Sequence, residues 1–252
     1  LRRGVDVTLF EAADRLMAGL YDPDMSKLIL DEVASHGVRV HTGTAVERFD
    51  ADGEGVVRSA VAGGKEFPCQ LGIIAVGVRP NVKLARDARI TIGPTGAIKV
   101  DARMETSVRG VFATGDCAES LHLVSRKPFW FSLGSTANRQ GRVAGANIAG
   151  DRKTFEGVLG TSIVKVFDKT AARTGLNERE AREAGFNPVS VAITTSTIGH
   201  YYPGNGKITL KMVADQGSKR LLGAQAFGDD KVDKIIDTVA AILAGKVTIP
   251  EL

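Results

Sequence analysis

The run Thr106-Ser107-Val108-Arg109-Gly110-Val111-Phe112-Ala113-Thr114-Gly115-Asp116 constrains this chain more than any other segment. It reads as a turn, then a buried strand from Gly110 to Thr114, then Gly-Asp at the strand's exit. In doubly wound α/β sheets, strand exits are where ligands bind. An ionised Asp at such an exit can only accept hydrogen bonds, which suits the hydroxyls of a sugar or polyol. A glycine just before it lets the backbone approach a ligand closely.

A second apolar run, Leu71-Gly72-Ile73-Ile74-Ala75-Val76-Gly77-Val78, precedes Arg79-Pro80-Asn81 and has the composition of a strand buried on both faces. Pro80 makes its exit extended or turned. Near the start, Val5-Asp6-Val7-Thr8-Leu9-Phe10-Glu11 alternates as a strand does and ends in an acid. In a dinucleotide-binding βαβ unit an acid at the end of the second strand bonds the ribose hydroxyls, and Glu11 fits that position. Such a unit opens with G-x-G-x-x-G about 20 residues earlier. Leu1-Arg2-Arg3-Gly4 reads as the end of the helix that follows such a loop, so the sequence is expected to be a fragment that lacks it.

Between these runs the pattern is that of a half-domain. Asp22-Pro23-Asp24 starts a helix, with Asp22 as its cap and Pro23 at the first helical position. Leu28, Ile29, Val33 and Ala34 form the inner face, His36 beside Gly37 stabilises the helix end, and a strand follows over 38–42 with His41 facing outward. Residues 45–68 read as strands around Asp52-Gly53 and Gly63-Gly64 turns. After Asp116 a small-residue helix begins near Gly134. Farther on come strands at 162–167, 189–195, 207–213 and 221–227. A capped helix begins at Asn177-Glu178-Arg179-Glu180, and an amphipathic helix spans 230–244.

Composition excludes several classes. The 252 residues carry a net charge of +4 with scattered Lys and Arg, so no nucleic-acid footprint is present. No apolar run reaches the roughly 18 residues of a membrane helix. The two cysteines, Cys69 and Cys117, have no metal or C-x-x-C spacing, and a reduced, cytoplasmic compartment is the expectation.

The order T-S-x-x-G-V-F-A-T-G-D, with A-x-G-x-x-P-N over Ala75–Asn81 upstream, closely resembles the pyridine nucleotide-disulfide oxidoreductases. The resemblance implies an α/β chain: partial Rossmann-type NAD(P)- and FAD-binding domains over 1–76 and 77–150, then an α+β dimerisation domain over 151–252. It implies that Asp116, with Gly115 and Thr106 of the same motif, holds the ribityl chain of FAD. Gly134 and Asn138 would meet the flavin, and Val76-Gly77 would gate the nicotinamide. Glu11 would bind the ribose of NAD(P)H, favouring NAD, with Arg15 nearby softening that preference.

Thr197-Ile198-Gly199-His200-Tyr201-Tyr202-Pro203-Gly204 resembles the branch of coenzyme A-disulfide reductases, NADH-dependent persulfide reductases and NADH oxidases. There a tyrosine of this loop crosses the homodimer to the partner's redox cysteine, and Tyr201 and Tyr202 are equally placed for that role. The implied parent is an FAD- and NAD(P)H-dependent reductase of a disulfide or persulfide such as a coenzyme A derivative, with its redox cysteine upstream of Leu1. An NADH oxidase or peroxidase and a non-catalytic dimerisation fragment are the alternatives.

Overall fold

The computed structural model describes residues 4–199 and 201–251; Leu1, Arg2 and Arg3, expected to end a helix, and His200 of the tyrosine loop lie outside the described residues. The chain divides into two compact units. One contains residues up to 75, 162–242 and those from 247 on; the other contains 76–161 and 243–246.

The first unit begins with a βαβ turn. Strand β1 (Thr8–Phe10) pairs in parallel with β2 (Arg39–His41), and helix α1 (Pro23–Ser35) connects them. Pro23 occupies the start of α1 as expected, but Asp22 makes no side-chain cap. Its carboxylate instead accepts from Gln225 Nε2 at 2.6 Å and sits 3.3 Å from Lys211 Nζ. Met25, Ile29 and Val33 form the inner face of α1, whereas Ala34 is exposed.

His36 ends the helix as expected. Its Nδ1 meets the Glu32 carbonyl at 2.9 Å, its Nε2 meets Asp168 at 3.2 Å, and its ring stacks on Phe167 at 4.1 Å. The Glu32 carbonyl first, then the Asp168 carboxylate, hold the imidazole's pKa above its usual value. His41 does not face outward: it stacks on Phe10 and meets the edge of Phe67. β3 (Val46–Ala51), β4 (Val57–Ala62) and β5 (Lys65–Pro68) form the expected antiparallel meander.

The apolar run at 71–78 is not a strand. Ile73 is 81% exposed and Val76 91%. Such a composition forms a strand only between neighbours that cover both faces and supply hydrogen bonds, and among the described residues no strand pairs with it.

The second unit contains helix α2 (Lys83–Asp87), the short hairpin of β6 (Ser120–Leu121) and β7 (Pro128–Phe129), and helix α3 (Gly134–Ile148). Met104, Ala144, Phe155 and Val158 form one small core, and Val82, Ala85 and Ile98 another. The predicted strand Gly110–Thr114 is likewise absent. Only an isolated antiparallel bridge from Phe112 to Glu105 forms, and the run flanks a cavity of about 530 Å³ lined by apolar groups including Leu84, Ala85, Val108 and Val111.

The remainder of the first unit is a five-stranded antiparallel sheet. Its strands are β8 (Ser162–Val166), β9 (Lys169–Gly175), β10 (Pro188–Ser196), β11 (Lys207–Asp215) and β12 (Leu221–Gly228), in the order β10-β11-β12-β9-β8. Helix α4 (Glu178–Ala184) starts with the expected capping box between Asn177 and Glu180, and α5 runs over Val232–Gly245, two residues later than its sequence start. This sheet shares a core with the βαβ turn: Ala171 and Phe227 pack with Leu16, Tyr21, Met25 and Ile29. Burial pushes the Tyr21 phenol up to about 12.

Candidate functional site

The Gly115–Asp116 turn is built from backbone geometry outward. Thr106 closes the preceding loop, its N–H donating to Val111 O at 2.8 Å and its hydroxyl accepting from Val108 N–H at 3.2 Å. Ala113 N–H bonds Met104 O, and the chain then turns through one 3₁₀ turn over Gly115–Cys117. Gly115 has φ +76°, in the left-handed region where glycine carries no Cβ penalty, and a Cβ there would lie 3.3 Å from Ala137 Cβ on α3. The glycine therefore serves both the turn and the close approach of α3.

Asp116 is exposed, and its carboxylate accepts from the Ser132 hydroxyl through Oδ2. Trp130 Nε1 donates to the Asp116 carbonyl at 2.7 Å, and Gln140, fully buried, accepts the Gly115 N–H at 2.7 Å. The hydrogen-bond ladder of α3 begins with Ala137 N–H to Leu133 O, so the amides of its first turn lie outside that ladder. Gly134 and Asn138, four residues apart, share an exposed helix face. An acceptor carboxylate next to a helix N-terminus suits a ligand bearing both hydroxyls and electron-rich groups. Those residues fit the polyol and ring of a flavin.

The second unit thus brings Gly115 and Asp116 together with α3, on which Gly134 and Asn138 lie. Thr106 lines the apolar cavity instead, and Val76 and Gly77 lie in the exposed run without a strand partner. In the first unit, Glu11 Oε1 accepts Ala13 N–H at 2.8 Å, while its own N–H and carbonyl bond His41 and Thr44. These bonds fix the carboxylate at the carboxyl end of β1. Arg15 is held by Asp14 at 2.8 Å and by the Ala18 carbonyl. Tyr201 and Tyr202 stand at the β10–β11 loop tip, 77% and 58% exposed, with ring centroids 5.0 Å apart.

Sequence reasoning missed Ser132, Trp130 and Gln140. None of them carries a local signal, and the partners of Gln140 are 20 and 25 residues away. It also missed a buried ion cluster in the first unit. Lys211 Nζ lies 2.9 Å from Asp24, 2.8 Å from Glu178 and 3.3 Å from Asp22. Burial pulls the Lys211 ammonium down, but the hydrogen bonds it donates to Glu178 and Asp24 and the charges of Asp22 and Asp24 outweigh it and hold the pKa up.

An α/β chain with an acidic glycine turn beside a helix start, followed by an antiparallel sheet, matches the architecture of a dinucleotide-cofactor oxidoreductase. Residues 1–141 match the pyridine nucleotide-disulphide oxidoreductase family, and residues 161–252 match its dimerisation domain. The chain belongs to this family. It is 39% identical over 247 residues to an NAD(P)H sulfur oxidoreductase (CoA-dependent) of Pyrococcus furiosus, covering 98% of this chain and 55% of that protein. It is 32% identical over 250 residues to an NADH oxidase of Methanocaldococcus jannaschii, with 99% and 55% covered. The NAD-dependent persulfide reductase structure from A. fulgidus superposes with a TM-score of 0.94 at 41% identity, over 98% of this chain and 46% of that one. The chain therefore spans about half the length of the relatives it matches.

Proposed function

We propose that this sequence is the carboxy-terminal part of an FAD- and NAD(P)H-dependent oxidoreductase that reduces a disulfide or persulfide of the coenzyme A type. The observation that carries this is the Gly115–Asp116 turn, which offers a carboxylate acceptor beside the start of α3. FAD, when bound, supplies two-electron transfer between the nicotinamide and a thiol-based acceptor. The chain's own residues would bind and orient: Asp116 a ribityl hydroxyl, Gly134 and Asn138 the ring, Glu11 the ribose of the nicotinamide cofactor, and one of Tyr201 and Tyr202 a proton for the leaving sulfur.

Two surfaces support a longer protein with its redox cysteine upstream. The exposed run 71–78 is a strand in composition without a strand partner among the described residues, and the run 110–114, bonded to the loop 104–106, flanks an apolar cavity. In that protein residues 1–76, 77–150 and 151–252 would belong to the NAD(P)-binding, FAD-binding and dimerisation domains. Along β10, Val189, Val191 and Ile193 point to one face and are 45%, 61% and 53% exposed; a homodimer would cover them. No described helix is long and apolar enough to cross a membrane.

The relatives named for sulfur substrates favour sulfur, and the NADH oxidase among them supports oxygen as the second reading. Turnover of the enzyme carrying this sequence, with NADH and either a coenzyme A persulfide, coenzyme A disulfide or oxygen, separates the two. Faster NADH consumption with a sulfur acceptor is expected. Consumption driven mainly by oxygen would move the assignment to an oxidase.

Glu11 sets the cofactor in this scheme. Glu11→Ala should weaken NADH by on the order of 1–3 kcal/mol through loss of a charge-assisted ribose contact. NADPH, whose 2′-phosphate is repelled by the carboxylate, should lose less or gain. Steady-state constants for both cofactors test this, and equal losses would make Glu11 structural.

A further inference from the structure

Three side chains from outside the sequence motif grip the Gly115–Asp116 turn, each at a different atom. Gln140 Oε1 takes the Gly115 N–H at 2.7 Å, and its Nε2 donates to Ser120 Oγ at 3.0 Å, so one buried amide ties both flanks of the 3₁₀ turn to α3. Trp130 Nε1 donates to the Asp116 carbonyl at 2.7 Å. The Ser132 hydroxyl donates to Asp116 Oδ2. Among the described residues no donor meets Asp116 Oδ1. An ionised carboxylate has acceptor capacity on both oxygens, so a hydroxyl already committed to one of them decides which is offered to a ligand.

Resting on the flavin assignment above, we propose that Ser132, Trp130 and Gln140 are positioning residues of the polyol site: they fix the Gly115–Asp116 turn so that Asp116 presents one carboxylate oxygen, Oδ1, to a single ribityl hydroxyl. Without Ser132 the carboxylate rotates about its last bond, and its capture of a hydroxyl carries an ordering cost that the wild-type site has already met. Without Gln140 a backbone N–H in a glycine turn loses its acceptor, and the turn loosens around the acid.

The chain contains one tryptophan, so its indole N–H gives a single NMR signal, and that proton lies on the Asp116 carbonyl. Titration with FAD up to millimolar concentration, followed by this signal, reads binding without turnover. The wild type should shift saturably. Ser132→Ala should raise the dissociation constant roughly tenfold, as loss of one charge-assisted bond in the site does. Ser132→Thr, which keeps the hydroxyl, should restore the wild-type value, and the ligand-free melting midpoints of all three should coincide. In Gln140→Leu the Gly115 amide should exchange with solvent roughly tenfold faster.

A wild type that shifts and a Ser132→Ala variant that titrates identically would overturn the positioning role and leave the flavin assignment standing. A loss of affinity that tracks a lowered melting midpoint and is not restored by threonine would make Ser132 merely structural. Unchanged Gly115 exchange in Gln140→Leu would remove Gln140 from the set. A wild-type signal that does not move with FAD would overturn the proposal, because a turn preset for one ribityl hydroxyl should meet it without the rest of the cofactor site. The flavin assignment, which concerns the longer protein, would stand.

Discussion

Lys211→Met should destabilise the first unit by about 3–5 kcal/mol, the range for removing one partner from a buried ion pair. Lys211 is 6% exposed and Asp22 4%, so Asp22 would lose its cation away from free solvent, whereas Glu178, 23% exposed, keeps Arg182 at 2.7 Å. The half-exposed Asp24 regains water and contributes little. Gln225 and the Glu178 backbone N–H still donate to Asp22, which places the loss toward the lower end of the range. Urea unfolding at neutral pH measures it, and a loss under about 1 kcal/mol would mean that the cluster is solvated in solution.

The same cluster sets an acid limit. The hydrogen bond from Lys211 first, then that from Ser190, hold the Glu178 carboxyl down to about 2. A carboxyl depressed in the folded state contributes stability that is fully present above its unfolded value of about 4.3 and is lost as pH falls through that value toward 2. Stability should therefore decline over that window. The decline should be shallower in Lys211→Met, because Glu178 then has less to lose.

What the sequence revealed and what it hid follow one physical division. Strands β8, β10, β11 and β12 and the meander were legible from their runs of strand-forming residues between turns. The β10–β11–β12 strands and the meander pair with neighbours close in the chain, whereas β9, which lies between β8 and the distant β12 in the sheet, was missed. The capping box at Asn177 and Glu180 spans three residues and was equally plain. The runs 71–78 and 110–114 had the right composition for buried strands but are not strands, because composition supplies apolar faces and not the hydrogen-bonding neighbour. Asp22 looked like a helix cap because local rules see only the next three residues. Its carboxylate instead answers Gln225, 203 residues away. Within the candidate site, Gly115, Asp116, Gly134 and Asn138 were named from a motif, whereas Ser132, Trp130 and Gln140 act through contacts 14 to 25 residues distant that no local pattern marks.

The largest effect on turnover is expected at the paired tyrosines. Both phenols stand exposed at the tip of the β10–β11 loop, and the rings tilt 37° to one another, so a partner surface can receive either hydroxyl. If a thiolate leaves from a disulfide or persulfide there, a phenol that donates its proton lowers the barrier, and general acids of this kind are worth about 10²–10⁴-fold. Tyr→Phe keeps the ring and removes only the proton. In the enzyme carrying this sequence, one of Tyr201→Phe and Tyr202→Phe should cut turnover of a coenzyme A disulfide or persulfide by about 10²-fold, at the low end of that range because water reaches so exposed a site. The other should change it little. Reduction of the flavin by NADH, followed anaerobically in the absence of a sulfur acceptor, should be unaffected in both, because hydride passes from nicotinamide to flavin without breaking a bond to sulfur. Should both variants retain full sulfur turnover, the pair serves packing at the dimer face, and the proton must come from another donor or from water.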